Sequence, residues 1–517
     1  MMAGDQHKTR AFLADAMARL GGVQEIETHI SHVFVGGGVA WKLKRAVRLP
    51  YADFSTAQKR LVCCQREVEL NRRTAPTHYL GVRRITLGPD GLAFDGPGEL
   101  VDAVVEMRAF DQASLLDRLA LRGKLTPPLA ERLATAIVRL HDSSPPDHRP
   151  GSERVAEVLS VNEASLSQTR VFPRHEVAHL NAAFRAAAAA WRADLDARAD
   201  AGRVHLAHGD LHLRNIFLDG DEPVIFDCIE FNDALATVDL LYDLAFLLMD
   251  LVHRGLPGLA NLVLNRYLDQ TGDEGGMKLV PFFMALRAAV RAHVTATAID
   301  EGADTPARRA EARAYFDLAL RLLHTEPAVV VALGGLSGSG KSTVAQILAA
   351  RIGGGAGARY LSSDRQRKAL HGVAPETRLP PGAYGPESSE QVYRAIIERA
   401  QHLAASGVSV VADAVFARPA ERRRIAAAAE AALTPFHGFW LDAPAALLRA
   451  RVASRRGGPS DATLSVLETQ LAYELGPITW AQLDAASRPE ALAERIAAVV
   501  RTPSGNGPGH LPGSNPG

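Results

Sequence analysis

The stretch that decides the fold of the second half of the chain reads Gly335-Leu336-Ser337-Gly338-Ser339-Gly340-Lys341-Ser342. The apolar run 328–334 precedes it and the helical pattern TVAQILAARI follows it, so the glycines join a buried strand to a helix. Backbone N–H groups and the helix N-terminus in such a loop bind phosphate. We therefore expect residues 335–342 and Thr343 to bind a nucleotide, with Lys341 at the β- and γ-phosphates and Ser342 as a Mg²⁺ ligand.

Further strands are predicted at 358–361, 408–412 and 436–441, in alternation with helical patterns. This alternation is typical of a doubly wound parallel α/β sheet. Asp364 follows the second strand, where its carboxylate accepts a proton from a substrate hydroxyl or else caps the next helix. Asp413 ends another strand at the same edge, either as a Mg²⁺ ligand through water or as a turn residue.

Arg451 and Arg455 fall on one face of a predicted helix that precedes Gly457 and Gly458. On a mobile flap they would neutralise a phosphoryl group in transfer; on a solvated face they would have no such role. Together with the glycine loop, the segments LSSD (361–364), VVADAVF (410–416), LDAP (441–444), RVASR (451–455) and SDAT (460–463) resemble the small P-loop kinases of the gluconate kinase, zeta-toxin and polynucleotide kinase type. The resemblance covers about 328–500 and implies that Asp364 is the substrate-side base and that both arginines belong to a lid.

The first half of the chain begins with a β-rich pattern. Residues 27–50 alternate apolar and polar around three glycines, which predicts a hairpin whose second strand carries Lys42 and Lys44. Helical spacing follows over 55–73 with Ser55 as the N-cap, and strands return over 81–105. Helical patterns dominate 110–323 and are broken near 204–231. The predicted order is a small β-rich lobe and then a large helical lobe, with the domain boundary at 324–327.

The broken region contains His208-Gly209-Asp210-Leu211-His212-Leu213-Arg214-Asn215, followed by Asp227 in VIFDCIEF. This spacing suits phosphoryl transfer, in which one carboxylate orients the acceptor hydroxyl while an amide and a second carboxylate hold Mg²⁺. Asp210 is therefore the predicted catalytic residue. Asn215 and Asp227 are the predicted metal ligands.

A lysine that binds the nucleotide phosphates is also expected in the first half. Lys42 and Lys44 share one face of their strand, so the pattern leaves both open, and we prefer Lys42. Its acidic partner is predicted on the helix at 55–73, where Glu67 is preferred and Glu69 is the alternative.

The order of these motifs, with Gly209 where protein kinases have an arginine, resembles aminoglycoside phosphotransferases, choline kinases and related small-molecule kinases. The resemblance covers about 27–323 and implies that His208 is structural and that Asp239 and Asp243 cap or tie the catalytic loop. Both halves together resemble bacterial fusions of an aminoglycoside phosphotransferase-like domain with an ATP-binding domain. We expect domains at 1–325 and 326–501, and a disordered tail at 502–517, which is rich in Gly, Pro, Ser and Asn.

The composition narrows the class of protein. A chain of 517 residues, 47% hydrophobic and 22% charged, is typical of a globular protein with two or three domains. Basic and acidic residues number 58 each, so no net charge favours nucleic acid as a partner. We predict a cytoplasmic protein, because no run reaches the ~20 apolar residues of a membrane span, no signal-peptide pattern is visible, and cysteines are few.

The functional expectation is a kinase with two sites for ATP and Mg²⁺. Each site would transfer a phosphoryl group to a hydroxyl of a small molecule, such as a sugar, an amino alcohol or an aminoglycoside-like compound. Two alternatives stay open: the first half is a regulatory module that gates the second, or the second half phosphorylates RNA ends. The motifs identify no acceptor, because acceptor pockets are built by loops and helices without a readable pattern.

Overall fold

The computed structural model describes residues 6–49, 52–454 and 460–502. The chain divides into two compact units, Met1–His324 and Thr325–Gly517, each with its own sheets and core.

The first unit contains most of the helices. Its strands are β1 Gln24–Glu27, β2 Ser31–Gly36, β3 Val39–Lys44, β4 Tyr79–Gly88, β5 Gly91–Phe94, β6 Glu99–Arg108, β7 Val204–Leu206, β8 Ile216–Asp219, β9 Glu222–Ile225 and β10 Thr237–Asp239. Its helices are α1 Gln6–Ala18, α2 Ala57–Asn71, α3 Leu116–Leu121, α4 Pro127–His141, α5 Gly151–Gln168, α6 Arg174–Asp200, α7 Asp233–Ala236, α8 Leu240–His253, α9 Pro257–Thr271, α10 Val280–Asp300 and α11 Pro306–Leu323.

The small lobe of this unit is an antiparallel sheet with strand order β1-β2-β3-β6-β4-β5. Side chains alternate along β3, so that Trp41 and Leu43 join Leu13 and Met17 of α1 in one apolar cluster. The lysines of β3 consequently point to the opposite face, where α2 packs. The predicted hairpin and small β-rich lobe are confirmed.

The predicted N-cap of α2 is wrong by one residue. Thr56, and not Ser55, precedes the helix, and its hydroxyl accepts the Lys59 N–H at 3.3 Å. Ser55 instead donates its hydroxyl to Asp53 Oδ1 at 2.6 Å. The upstream aspartate therefore takes the nearer hydroxyl and leaves the threonine to begin the helix.

The helical lobe is built around α8 and α10, which are buried along most of their length. Among the described residues, Glu274–Asp300 is the helical stretch with the length and mean hydropathy, 1.2, that a membrane span would need. Of its most apolar window, 78% is buried inside the protein, as in a core helix. Two short antiparallel pairs, β7 with β10 and the hairpin of β8 and β9, interrupt the helices, and the predicted catalytic loop lies between β7 and β8.

The second unit alternates strands and helices. Its strands are β11 Val330–Gly334, β12 Arg359–Ser362, β13 Val410–Asp413, β14 Phe436–Asp442 and β15 Ala481–Asp484. Its helices are α12 Lys341–Ala349, α13 Ser363–Leu370, α14 Pro386–Ala405, α15 Pro419–Ala431, α16 Ala445–Ser454, α17 Leu464–Leu471 and α18 Pro489–Arg501.

The strands of the second unit form one parallel sheet in the order β12-β13-β11-β14-β15. Every residue of β11 is buried, as its apolar run predicts for a central strand. In register, Asp413 pairs with Leu333 on one side and Ser362 on the other, so the carboxyl ends of three strands meet at one edge. The predicted parallel α/β fold is confirmed. Apart from Thr502, the predicted tail at 502–517 lies outside the described residues.

Candidate functional sites

A cavity of about 740 Å³ lies in the first unit and brings four predicted residues together. Its walls include Lys42 of β3, Asp210 and Asn215 of the catalytic loop, and Asp227 after β9. These residues are up to 185 positions apart in sequence, so their convergence is a property of the fold.

Glu67 of α2 lies between the two lysines of β3. Its Oε1 is 2.8 Å from Lys42 Nζ and its Oε2 is 2.5 Å from Lys44 Nζ. Glu69, the alternative partner, is exposed and pairs with Arg66 on its own helix at 2.9 Å. The helix therefore presents Glu67 to the cavity side and Glu69 to solvent.

Glu230 is a buried charge that the sequence analysis missed. It forms an ion pair with Lys44, and both side chains are buried. Burial opposes the charge of Lys44, but the carboxylates of Glu230 and Glu67 raise its pKa well above the usual range. The sequence did contain a signal for a buried charge here, because Glu230 stands in the apolar run VIFDCIEF, three residues after Asp227.

Asp210 is held by its own loop. Asn215 Nδ2 donates to Asp210 Oδ2 at 3.0 Å, and His212 Nε2 lies 3.3 Å from the same oxygen. Partial desolvation would raise the pKa of Asp210, but the positive charges of His212, His208 and Arg291 lower it. Asp210 is therefore ionised at neutral pH and can accept hydrogen bonds.

The turn at Gly209 has a geometry that requires glycine. Its φ is +84°, and a Cβ there would lie 2.9 Å from Ile229 Cδ1. Asp243 of α8 accepts the backbone N–H groups of His208 at 3.2 Å and Gly209 at 2.8 Å. His208 is buried with Nε2 2.8 Å from the Phe226 carbonyl oxygen, so its contacts are those of a structural residue.

Asp243 and Asp239 both bind backbone N–H groups around the loop. Burial opposes the ionisation of Asp243, but hydrogen bonding and charge from His141 and the charges of His208 and Arg287 hold its pKa at about 2. Asp239 accepts the Leu241 N–H at 2.8 Å at the start of α8 and pairs with a buried arginine. The hydrogen bonds of these two carboxylates fix the backbone around the loop.

Asp227 has a left-handed backbone, with φ +64°, which residues other than glycine rarely adopt. Its N–H donates to the Tyr79 hydroxyl at 3.2 Å, and its carboxylate pairs with Lys42. Such strain is concentrated at functional sites. The Asn215 amide N–H donates a hydrogen bond to Asp210, which leaves the amide oxygen Oδ1 available. This oxygen and the Asp227 carboxylate are suitable ligands for Mg²⁺.

The glycine loop of the second unit joins β11 to α12. Gly340 is the N-cap of α12 with φ +84°, and Lys341 is the first helical residue, with Nζ 3.5 Å from the Leu336 carbonyl oxygen. The Ser337 N–H donates to Gln470 Oε1 of α17 at 2.8 Å. Gln470 was missed by the sequence analysis because nothing in its local pattern distinguishes it from a surface glutamine.

Asp413 lies at the end of β13, beside the start of α12. Its Oδ2 accepts the Tyr360 hydroxyl at 2.9 Å, whereas its buried Oδ1 has no hydrogen-bond partner among the described residues. Burial raises the pKa of Asp413, and Lys341 and the Ser342 hydroxyl act in the opposite direction. An unpartnered carboxylate oxygen beside a serine hydroxyl fits a Mg²⁺ site, directly or through water.

Asp364 lies in the first turn of α13, where Ser362 is the N-cap. The alternative that Asp364 caps this helix is therefore wrong. Asp364 follows β12, whose last residue Ser362 pairs with Asp413, so it lies at the same sheet edge. Nearby, Lys368 and Tyr384 both bind Asp461, a cluster that the sequence analysis did not anticipate.

Arg451 of α16 lies beside the glycine loop. Its Nη1 donates to the Ala485 carbonyl oxygen at 2.9 Å and lies 3.5 Å from the Gly338 carbonyl oxygen. The guanidinium is thus tied to two backbone segments next to the phosphate-binding loop. Arg455, the second predicted lid arginine, lies outside the described residues.

Two family models match the chain. The Phosphotransferase enzyme family matches residues 92–280, and an AAA domain matches residues 330–475. The two matches lie in different compact units, so the chain combines a domain similar to the Phosphotransferase enzyme family with a P-loop domain similar to the AAA domain.

Related proteins from mycobacteria share this length. Uncharacterized proteins of Mycobacterium tuberculosis H37Rv and Mycobacterium bovis are 29% identical over 479 residues, which cover 89% of this chain and 92% of each relative. Because 479 residues exceed either half, the similarity spans both domains.

Two solved structures match parts of the chain. A sugar kinase from Janibacter is 24% identical and covers 34% of this chain and 95% of its own, with a TM-score of 0.27. A choline/ethanolamine kinase family protein from Mesorhizobium loti is 16% identical and covers 62% of this chain and 95% of its own, with a TM-score of 0.41.

Proposed function

We propose that the protein is an ATP- and Mg²⁺-dependent phosphotransferase with two separate sites, in domains 1–325 and 326–501. Each site transfers the γ-phosphoryl group of ATP to a hydroxyl of a small molecule. The observation that carries the proposal is the meeting of Lys42, Asp210, Asn215 and Asp227 in one cavity. Fold similarity alone would not support an activity.

In the first domain, Glu67 holds the ammonium group of Lys42 where it can bind nucleotide phosphates. Bound Mg²⁺, with Asn215 and Asp227 as ligands, would neutralise charge on the phosphate oxygens. Asp210, ionised and fixed by Asn215, accepts a hydrogen bond from the acceptor hydroxyl and orients its oxygen toward phosphorus. A weak base is sufficient, because phosphoryl transfer depends mainly on positioning and charge stabilisation.

In the second domain, the loop 335–343 and Lys341 bind the phosphates, with the N–H groups of Gly335, Ser337 and Ser339 donated within the protein to hold the loop in shape. Ser342 and Asp413 would hold Mg²⁺. Asp364 accepts the proton of the acceptor hydroxyl. Arg451, next to the loop, contributes positive charge near the transferring group.

The test uses the full-length protein, a metabolite library and ATP consumption as the readout. Asp210→Asn should remove one subset of phosphorylated products and Lys341→Ala a different subset, while the double variant should remove both. Asp90→Asn, at an exposed turn of the first domain, is the matched control and should change neither.

Two results would contradict the proposal. Retention of acceptor-dependent ATP consumption by the double variant would show that neither site performs the chemistry. Loss of every product in Lys341→Ala, with none lost in Asp210→Asn, would instead make the first domain a regulatory module.

A further inference from the structure

The cavity that contains Asp210 has a second wall, formed by α10. Arg287 and Arg291 lie one helical turn apart on this helix, and both line the cavity. The Arg287 guanidinium carbon is 3.9 Å from the centre of the Tyr242 ring, which holds it in place. Asp210, the predicted catalytic carboxylate, lines the same cavity.

The acidic residues of the cavity already have basic partners. The lining carboxylates and their partners are Glu157 with Arg149, Asp210 with His212, Asp227 with Lys42, Glu230 with Lys44, and Asp239 with Arg198. Within the described part of the chain, Arg291 forms no ion pair; its guanidinium carbon lies 5.6 Å from the centre of the Tyr315 ring, and the charges of Asp210 and Glu311 act on it. Arg287 forms a long ion pair with Asp243, at 3.8 Å. The wall formed by α10 therefore presents two guanidinium groups to the cavity, and the one on Arg291 has no carboxylate within ion-pair distance among the described residues.

An unpartnered amide faces the same space. Asn162 of α5 lines the cavity and is 2% exposed, yet neither its Oδ1 nor its Nδ2 has a hydrogen-bond partner among the described residues. On α10, Nε2 of His293 also lacks a partner. Buried polar groups are normally hydrogen-bonded, so these groups are suited to a polar ligand.

We propose that the acceptor of the first domain is a small hydroxylated compound that carries an anionic group, a carboxylate or a phosphate, bound by Arg291 and Arg287. This inference rests on the proposed function of the same site. Asn162 donates to or accepts from a hydroxyl of the compound. A cationic acceptor, such as an aminoglycoside or an amino alcohol, would bring its charge against the two guanidinium groups.

The reaction is balanced with the groups present. The acceptor hydroxyl oxygen forms a bond to the γ-phosphorus while the bond from that phosphorus to the β–γ bridging oxygen breaks. The products are ADP and a phosphate ester, and the hydroxyl proton passes through Asp210 to solvent. The anionic group of the acceptor takes no part in bond formation, so Arg291 is a specificity residue.

The experiment uses the full chain with Lys341→Ala, so that transfer reports the first domain. Matched acceptors, glucose, glucosamine, gluconate and glucose 6-phosphate, are tested first and a metabolite library second. Asp210-dependent transfer should favour the anionic acceptors. A comparison of gluconate with glucose 6-phosphate shows whether the site prefers a carboxylate or a phosphate. Arg291→Gln should raise KM for the anionic acceptor ~10-fold or more with KM for ATP unchanged, because a charge-assisted hydrogen bond is lost.

Controls separate specificity from folding. Arg291→Lys should retain part of the affinity, and Arg309→Gln, which removes an exposed pair at the start of α11, should change nothing. Asn162→Ala removes no side-chain hydrogen bond to any described residue, so Tm should be kept while KM for the acceptor rises. An unchanged acceptor KM in both Arg291→Gln and Asn162→Ala would overturn the inference.

Two outcomes distinguish this inference from the proposed function. Asp210-dependent transfer to neutral or cationic acceptors alone would overturn the anionic acceptor and leave the kinase activity in place. No Asp210-dependent transfer to any acceptor would overturn both.

Discussion

Lys44 Nζ lies 2.5 Å from Oε2 of Glu67, although Lys42, two positions earlier, is the lysine that lines the cavity. One carboxylate of α2 thus joins both lysines of β3. The Lys44 side chain is fully buried, whereas that of Lys42 is 11% exposed. We conclude that Lys42 is placed to meet a ligand and Lys44 to hold Glu67 and Glu230.

Replacing Lys44 should therefore affect stability more than replacing Lys42. Lys44→Met leaves Glu67 and Glu230 without their shared cation, and removal of one partner from a buried ion pair costs about 3–5 kcal/mol. Lys42→Met should mainly raise KM for ATP or abolish transfer by the first domain. Calorimetric unfolding and ATP kinetics of the two variants provide the measurements. Equal destabilisation by both would contradict the division of roles.

A double variant tests the same ion pair from the other side. Glu230→Gln in the Lys44→Met background removes the uncompensated charge, so part of the lost stability should return. Strictly additive losses would show that Lys44 and Glu230 are not energetically coupled.

The stability contributed by Asp243 should depend on pH. Its pKa of about 2 in the folded protein is below the value of about 3.9 for an unfolded aspartate. Its charge therefore stabilises the fold above about pH 4, and this contribution is lost as the pH falls through about 2. Asp243→Asn should cost about 2 kcal/mol at neutral pH, measured by chemical unfolding of the first domain.

The difference in unfolding free energy between wild type and Asp243→Asn should shrink as the pH falls below about 4. Asp90→Asn, at an exposed turn, should show no such trend. A difference that is constant across this pH range would mean that Asp243 acts through its shape and not through its charge.

Gly338→Ala should disrupt the phosphate-binding loop. Its φ is +85°, and a Cβ would lie 2.7 Å from the Leu448 carbonyl oxygen of α16. We expect MgATP affinity of the second site to fall ~10-fold or more, measured by calorimetric titration in a Lys42→Met background. Gly372→Ala, with φ +65° and no atom within 4 Å of the added Cβ, is the control for backbone strain alone. Similar losses in both would contradict the clash with α16.

Gln470→Ala should weaken the same site by a smaller amount. The Ser337 N–H would lose its acceptor, a change worth about 1 kcal/mol or ~5-fold in affinity. Thr469→Ala is the control, because its exposed hydroxyl donates only within α17, to the Ser465 carbonyl oxygen at 3.1 Å. If both variants bind nucleotide like the wild type, α17 does not hold the loop.

Local patterns were sufficient where the motif and its flanks are contiguous. The glycine loop from Gly335 to Ser342 was predicted between a strand and a helix, and it joins β11 to α12. The fold class and the two kinase-like domains were predicted for the same reason, since strand and helix periodicities persist over many residues. The capping of α2 by Thr56 was missed, because two adjacent hydroxyl residues satisfy the same pattern.

Contacts between side chains from distant segments could not be predicted from the sequence. Glu230 meets Lys44 186 positions away, and Gln470 meets Ser337 133 positions away. No local pattern marks the partner of Glu230 or of Gln470, because each partner lies on an element far away in the sequence. The orphaned amide of Asn162 became visible only once α5 and α10 enclosed the cavity.

The sequence by itself determined the phosphate-binding loop and the aspartate, asparagine and aspartate order of the first domain, because each function needs fixed residue types at short, fixed spacings. Tertiary structure alone decided which lysine faces the cavity, which glutamate joins the two lysines, and which arginines of α10 line the cavity with Asp210. These properties depend on distances and burial between segments far apart in the chain, and electrostatic energies depend on both.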